Sequence, residues 1–314
     1  MNKIAFVFPG QGSQSAGMGK SFYDSFAAAR EVYDEANDLL GYDLKKLSFE
    51  GPQAELDKTE NTQPALLTAS IAALRVLNDN VKITPECLAG HSLGEYTALV
   101  AAGALDFSDA VKLVHLRGRF MQESVPFGTG KMCAVLGLDI DTVKAICASA
   151  SSGAATVVPA NINSPEQIVI SGHSAAVDLA AGLAKERGAK RVIPLQVSAP
   201  SHSPLMESAA RKLDEELKKI DFREPSAPVV TNVEAETIKD RSEIRTLLTR
   251  QLTNPVRWVD IIRKMKRDGV DAIIEIGPNK VLTGLVKRIE KEMNTFNLSE
   301  AGDLDRIAGE LQKA

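Results

Sequence analysis

The chain is 314 residues long, more than one compact domain usually holds, so a large domain carrying a smaller one is the natural expectation. Hydrophobic residues at 44% and charged residues at 25% match globular averages, which excludes a disordered or low-complexity chain. A formal net charge of -4 gives no long-range pull on polyanions and argues against nucleic acid or an anionic membrane as the main partner.

The first element in chain order is a short buried strand, Ile4 to Phe8, closed by Pro9-Gly10. It is too short for a signal or membrane segment, so a cytoplasmic protein is expected. The three cysteines, Cys87, Cys133 and Cys147, are odd in number and lack close pairs, which indicates neither a disulfide framework nor a metal site. After the strand, the run from Gly10 to Ser21 invites a phosphate-binding reading and fails it. Ser15 stands where the dinucleotide fingerprint needs Gly or Ala, and Gln14 stands where a P-loop needs Gly. A glycine loop at a strand's end can still bring a backbone N–H near a reacting oxygen, and Gln11 is suitably placed.

A helix is expected over Pro64 to Asn78, with Thr62 as its cap. A second short strand, Cys87 to Ala89, runs into Gly90-His91-Ser92-Leu93-Gly94, and Glu95 to Ala102 reads as a helix. This is the G-x-S-x-G elbow in the context it requires, a tight strand-to-helix turn that pushes a serine hydroxyl out at the carboxyl end of a parallel sheet. The N–H of Leu93 would then face a developing oxyanion. The alternative is a glycine-rich turn without chemistry.

In the next helix, from Ser108, the residues Ala110, Val114 and Met121 fall on one apolar stripe together with Arg117. Arg119 shares the opposite face with Lys112 and Glu123. An arginine turned inward needs a partner, because an unpaired buried charge costs several kcal/mol. Two readings stay open, a structural ion pair with an internal carboxylate or a bidentate clamp on a substrate carboxylate.

The middle of the chain changes rhythm. Strand Met132 to Leu136, helix Asp141 to Ala150, strand Thr156 to Asn161, a turn at Asn163-Ser164-Pro165, strand Gln167 to Ser171, helix Ala175 to Arg187 and strand Arg191 to Leu195 give the order βαββαβ of a ferredoxin-like unit. Residues 128–197 are therefore expected to form a small domain inserted between residues 1–127 and 198–314. Further strands of the large domain are read at Val229 to Asn232 and Ala272 to Ile276, and short apolar strands alternating with helices make it α/β with a mainly parallel sheet.

A nucleophilic serine needs a base, and the chain has four histidines. His91 adjoins the serine on the turn, where its ring should point away. His115 lies inside a helix, and His173 heads the second helix of the small domain. His202 sits in the loop Val197 to Pro204 at the seam between the domains, where catalytic groups gather, and is the best base by elimination, the alternative being an inert loop histidine.

Taken together, Phe8 to Gln14, Thr62 to Leu66, Gly90 to Tyr96, Arg117-Gly118-Arg119, Asn163-Ser164-Pro165, Ser201-His202, Gln251-Leu252 with Pro255 to Trp258, and Glu275 to Pro278 resemble the malonyl-CoA:acyl carrier protein transacylase family over nearly the whole chain. The resemblance implies an α/β-hydrolase-like large domain with a ferredoxin-like insert. It implies Ser92 as the acylated residue, His202 as the base, and the amides of Gln11 and Leu93 as oxyanion donors. Arg117 would be the partner of the malonyl carboxylate, with Gln63 and His91 at the substrate site. A main-chain carbonyl near Gln251, rather than a third acid, would orient the histidine. Leu93 resembles malonyl-selective members. Implied too are no bound cofactor or metal, malonyl-CoA as substrate and coenzyme A as product.

The implied partner is a phosphopantetheinylated acyl carrier protein. Such carriers are typically acidic, so docking is expected on the basic cluster Lys185, Arg187, Lys190 and Arg191 beside the cleft. The protein is expected to act as a monomer. A thioesterase or other serine hydrolase, an acyltransferase of a polyketide pathway, and a non-catalytic binding module are the rival readings.

Overall fold

Five short apolar runs pair side by side as one parallel sheet in the computed structural model, which describes residues 3–126, 128–153, 155–196 and 199–312. These strands are β1 (Ile4–Phe8), β2 (Cys87–Gly90), β7 (Val229–Val230), β8 (Ala272–Ile276) and β9 (Asn294–Leu298), in the order β7-β2-β1-β8-β9. β2 and β8 flank β1 in register, Phe6 opposite both Leu88 and Ile274. All five residues of β1 are buried, as a strand covered on both faces must be. Ile4, Phe6 and Phe8 enter one core and Ala5 and Val7 the other. The last strand, β9, was not expected from the sequence, because Asn294 and Asn297 interrupt its apolar pattern.

One face is covered by α1 (Lys20–Ser25), α2 (Ala27–Leu40), α3 (Leu44–Glu50), α4 (Gln53–Leu56), α5 (Thr59–Asn80), α6 (Leu93–Ala101) and α7 (Phe107–Glu123). α5 starts earlier than the sequence suggests, and Thr62 is not its cap. Thr62 lies inside the helix, fully buried, with its hydroxyl donating to the Leu56 carbonyl at 2.5 Å. Pro64 is tolerated one turn further on for a specific reason. Lacking an N–H, it leaves the Glu60 carbonyl without its helical donor, and His115 of α7 bonds that carbonyl at 2.9 Å. Gly118 lets the two helices meet there, since a Cβ would sit 2.6 Å from the Glu60 backbone.

A second, four-stranded sheet is antiparallel throughout. It contains β3 (Gly130–Leu136), β4 (Val157–Ser164), β5 (Gln167–His173) and β6 (Arg191–Pro194) in the order β4-β5-β3-β6, with α8 (Ile140–Ala150) and α9 (Ser174–Glu186) on one face. The other face presents Met132, Ala134, Ala160 and Val169. The chain then passes through α10 (Glu207–Leu217), α11 (Ser242–Gln251), α12 (Trp258–Arg267), α13 (Val281–Ile289) and α14 (Asp303–Gln312). Main-chain bonds tie β4 of the second sheet to the segment just before α12: Ile162 N–H to Val256 O, and Val256 N–H to Ala160 O, each 2.9 Å. Three residues that bound the expected small domain, Phe127, Val197 and Ser198, lie outside the described residues. Among the described residues no helix is long and apolar enough to cross a membrane.

Candidate active site

In a parallel sheet all carboxyl ends point one way, and ligands gather outside them where neighbouring strands connect in opposite directions. Here β1 connects toward β2 on one side and has β8 on the other. Ser92 lies two residues beyond the end of β2 with φ 50° and ψ -106°, a backbone strain that a side chain rarely tolerates. Close packing holds it. A Cβ on Gly90 would lie 1.9 Å from Gly94, and one on Gly94 would lie 2.1 Å from the Phe8 carbonyl. The two glycines of the motif are therefore needed so that the turn can seat against the end of β1.

Asn232, just beyond β7, clasps the same turn from its other side. Its Oδ1 accepts from Ser92 N–H at 2.7 Å and its Nδ2 donates to Gly90 O at 2.7 Å. From the sequence, Asn232 is only the last residue of an expected strand. A polar residue closing an apolar run at a carboxyl end was the available signal.

His202 comes from the seam loop, 3% exposed and also at positive φ. Its Nε2 lies 2.8 Å from Ser92 Oγ, and its Nδ1 lies 2.8 Å from the Gln251 carbonyl. A carbonyl can only accept, so Nδ1 carries the proton and Nε2 is left with a lone pair facing the serine hydroxyl. Burial, followed by the charge of Arg117, lowers the His202 pKa to about 3, while the Gln251 carbonyl pulls weakly the other way. The imidazole is thus neutral at pH 7 and able to accept a proton.

Arg117 is 1% exposed and points into the same place. Its guanidinium donates to Gln63 Oε1 at 2.8 Å, Gln251 Oε1 at 2.9 Å and Ser92 Oγ at 3.2 Å, and lies 5.3 Å from the Tyr96 ring centroid. All three acceptors are neutral. The guanidinium remains charged although burial lowers its pKa, and the nearest carboxylate, Glu95, acts on it only across the Gln251 carboxamide, so among the described residues the cation has no anion in direct contact. Arg119, on the other face, is exposed and pairs with Glu123 at 3.7 Å.

These groups line a cleft of about 90 Å³ together with Gln11, Leu93, Met121, Met132 and Leu195. Of the residues singled out in the sequence, the fold brings Gln11, Gln63, His91, Ser92, Leu93, Arg117, His202 and Gln251 together. Gln11 lies on the loop after β1, its Nε2 3.3 Å from Thr59 Oγ1. The His91 ring does not point wholly away from the cleft. It lines it while its Nε2 bonds Asn163 Oδ1 of β4 at 2.8 Å. His173 accepts from Thr156 N–H at 3.0 Å. Gln251 was expected to act only through its main chain, whereas its side chain also holds Arg117, a contact between residues 134 apart that no linear spacing encodes.

The basic residues Lys185, Arg187, Lys190 and Arg191 do not join this group. They are exposed. Arg191 pairs with Leu136 at one end of the antiparallel sheet, while Met132 and Leu195 meet at the other. β6 runs toward the cleft, so its first residue begins farthest away. Lys190 is in addition ion-paired with Glu166 at 2.9 Å. "Beside the cleft" is thus corrected to the distal end of the small sheet.

Among the described residues no cluster of three His, Cys, Asp or Glu side chains has a metal-holding arrangement. A strained serine, a neutral imidazole poised to take its proton and a helix N-terminus at the serine define the class of serine-nucleophile acyl-transfer sites.

The chain belongs to the acyl transferase domain family, whose model matches residues 5–314. It is 50% identical over 300 residues to the malonyl CoA-acyl carrier protein transacylase of Escherichia coli K12, covering 96% of this chain and 97% of the relative. The solved malonyl CoA-acyl carrier protein transacylase of Coxiella burnetii superposes with a TM-score of 0.97 at 44% identity, covering 99% of this chain and 98% of that one. A malonyl-transacylase solved in complex with its type II PKS acyl-carrier protein superposes with a TM-score of 0.96 at 45% identity, covering 98% and 99%.

Proposed function

We propose that this chain transfers a malonyl group from malonyl-CoA to the phosphopantetheine thiol of an acyl carrier protein through an acyl-Ser92 intermediate, supplying fatty acid synthesis in the cytoplasm. The observation that carries this reading is the meeting of three groups in one cleft, Ser92 Oγ within 2.8 Å of His202 Nε2 and 3.2 Å of the Arg117 guanidinium. His202 Nε2 takes the hydroxyl proton as Oγ forms a bond to the thioester carbon. The resulting oxyanion faces the amide of Gln11 on the loop after β1 and that of Leu93 at the N-terminus of α6. The tetrahedral intermediate collapses, the C–S bond breaks, and the imidazolium returns its proton to the coenzyme A thiolate. The carrier thiol then attacks the acyl-serine by the same geometry in reverse.

Arg117 supplies the preference for a carboxylated acyl group. Its Nε, unpartnered among the described residues, and the lack of a direct carboxylate contact suit a malonyl carboxylate, and that carboxylate would also relieve the pull that Arg117 exerts on His202. A cleft of about 90 Å³ suits a short acyl group, since sites for drug-sized ligands begin at roughly 300 Å³. We read the parallel-sheet part, residues 1–127 and 198–314, as an α/β-hydrolase-like domain. The antiparallel part, 128–197, with its order β4-β5-β3-β6, is read as a ferredoxin-like insert. The exposed basic end of that insert is the docking surface for the acidic carrier.

Mass spectrometry of the protein incubated with malonyl-CoA tests the reading. One malonyl group on Ser92, removed by phosphopantetheinylated carrier protein much faster than by water, is the expected result. No adduct on Ser92 would refute the mechanism, and release to water faster than to the carrier would make the chain a thioesterase.

A further inference from the structure

One buried carboxylate near the site has no part in this mechanism. Glu95 is 1% exposed. Its Oε2 accepts from the Gln251 carboxamide at 2.5 Å and from Asn232 N–H at 3.3 Å. The charged and titratable groups around it are Arg117 from α7, one carboxamide away, Tyr96 beside it on α6, and His202, which bonds the Gln251 main chain. Burial raises its pKa to about 7, while Gln251, Asn232 and Arg117 hold it down.

The local sequence offers Glu95 a plainer task, which it does not perform. Ser92-Leu93-Gly94-Glu95 has the spacing of a capping box, in which the glutamate would accept the Ser92 N–H. That N–H goes to Asn232 instead, and the carboxylate turns inward to Gln251.

We propose that Glu95 is a positioning residue for acyl selectivity, holding the Gln251 carboxamide in the orientation that presents its oxygen to Arg117. A carboxamide has one oxygen and one NH₂, on opposite sides of its axis. With Oε1 on Arg117, both Nε2 hydrogens must find acceptors on the other side, and these are the Ser92 carbonyl at 3.0 Å and Glu95. Without an acceptor at residue 95, the flipped carboxamide sets NH₂ against the guanidinium, and Arg117 swings from its aim. The inference rests on the reading that Arg117 receives the malonyl carboxylate.

The test compares rates of Ser92 acylation by malonyl-CoA and acetyl-CoA. Glu95→Met keeps the volume and removes the acceptor, and should lower the malonyl-to-acetyl ratio about 10-fold, the worth of one charge-assisted hydrogen bond. Glu95→Gln keeps an acceptor oxygen toward Gln251 and should restore the ratio to within about 3-fold of the parent. A merely structural role would lower both rates alike. An unchanged ratio in folded Glu95→Met, or equal loss for both acyl groups, overturns the proposal. If Glu95→Met does not fold, Glu95→Asp withdraws the carboxylate by one methylene. The same ratio should then fall at least about 3-fold, and no change overturns the proposal equally. Arg117→Ala in the same assay separates the two ideas. A ratio lost with Arg117→Ala but kept with Glu95→Met removes only the role of Glu95, whereas a ratio kept with Arg117→Ala removes both.

Discussion

The carboxyl edge of the parallel sheet and the distal end of the antiparallel sheet are built to opposite specifications. At the first, Ser92, His202, Arg117, Glu95 and Gln251 are packed into a desolvated cluster in which contacts of 2.5 to 3.2 Å fix each side chain. At the second, Lys185, Arg187, Lys190 and Arg191 stand in solvent, and Lys190 is paired with an exposed Glu166. The first arrangement gives short-range, salt-insensitive control of protons and charge. The second gives long-range attraction that salt screens within about 8 Å at physiological ionic strength. Bond making needs the former and partner recognition the latter, so the proposed chemistry and docking can be separated experimentally.

The largest effect should come from the buried cluster. His202→Ala is expected to reduce Ser92 acylation and carrier transfer alike, each by about 10³-fold or more, because one imidazole serves both half-reactions. Pre-steady-state measurement of each step checks this, and a loss confined to one of them would break the shared-base reading. A smaller and one-sided effect belongs to the basic end. Reversing Lys190 and Arg191 to Glu should weaken carrier transfer about 10-fold at low salt and leave acylation by malonyl-CoA unchanged. The deficit should shrink as salt is added, and equal loss in both steps would remove docking from this surface.

The smallest expected effect is an absence of change. The His202 pKa is lowered from its ordinary value, so the neutral, proton-accepting form persists as pH falls and is lost only near the lowered value of about 3. Acylation by acetyl-CoA, which has no carboxylate to engage Arg117, should therefore stay flat from about pH 7.5 to about pH 5.5. An acidic limb at the ordinary histidine value that persists in Glu95→Gln, where the carboxylate raised to about pH 7 is gone, would show that the base is less buried than its surroundings indicate.

The linear pattern determined several things by itself. Alternating short apolar runs and helices gave the α/β class because strand and helix periodicities are local. The pair Gly90 and Gly94 marked the elbow because only residues without a side chain permit that turn, and Arg117 stood out because it occupies an apolar stripe. Elimination among four histidines reached His202. Tertiary structure alone decided the rest. Asn232 and Glu95 acquire their contacts from segments about 140 residues away, and the Gln251 side chain bridges three elements. The end of the small sheet that carries the basic residues was fixed by the direction of β6, which strand length and composition do not contain. Local propensity reads what a residue's neighbours in sequence impose, while hydrogen-bond complementarity in a buried site depends on which distant groups the folded chain places within 3 Å or so.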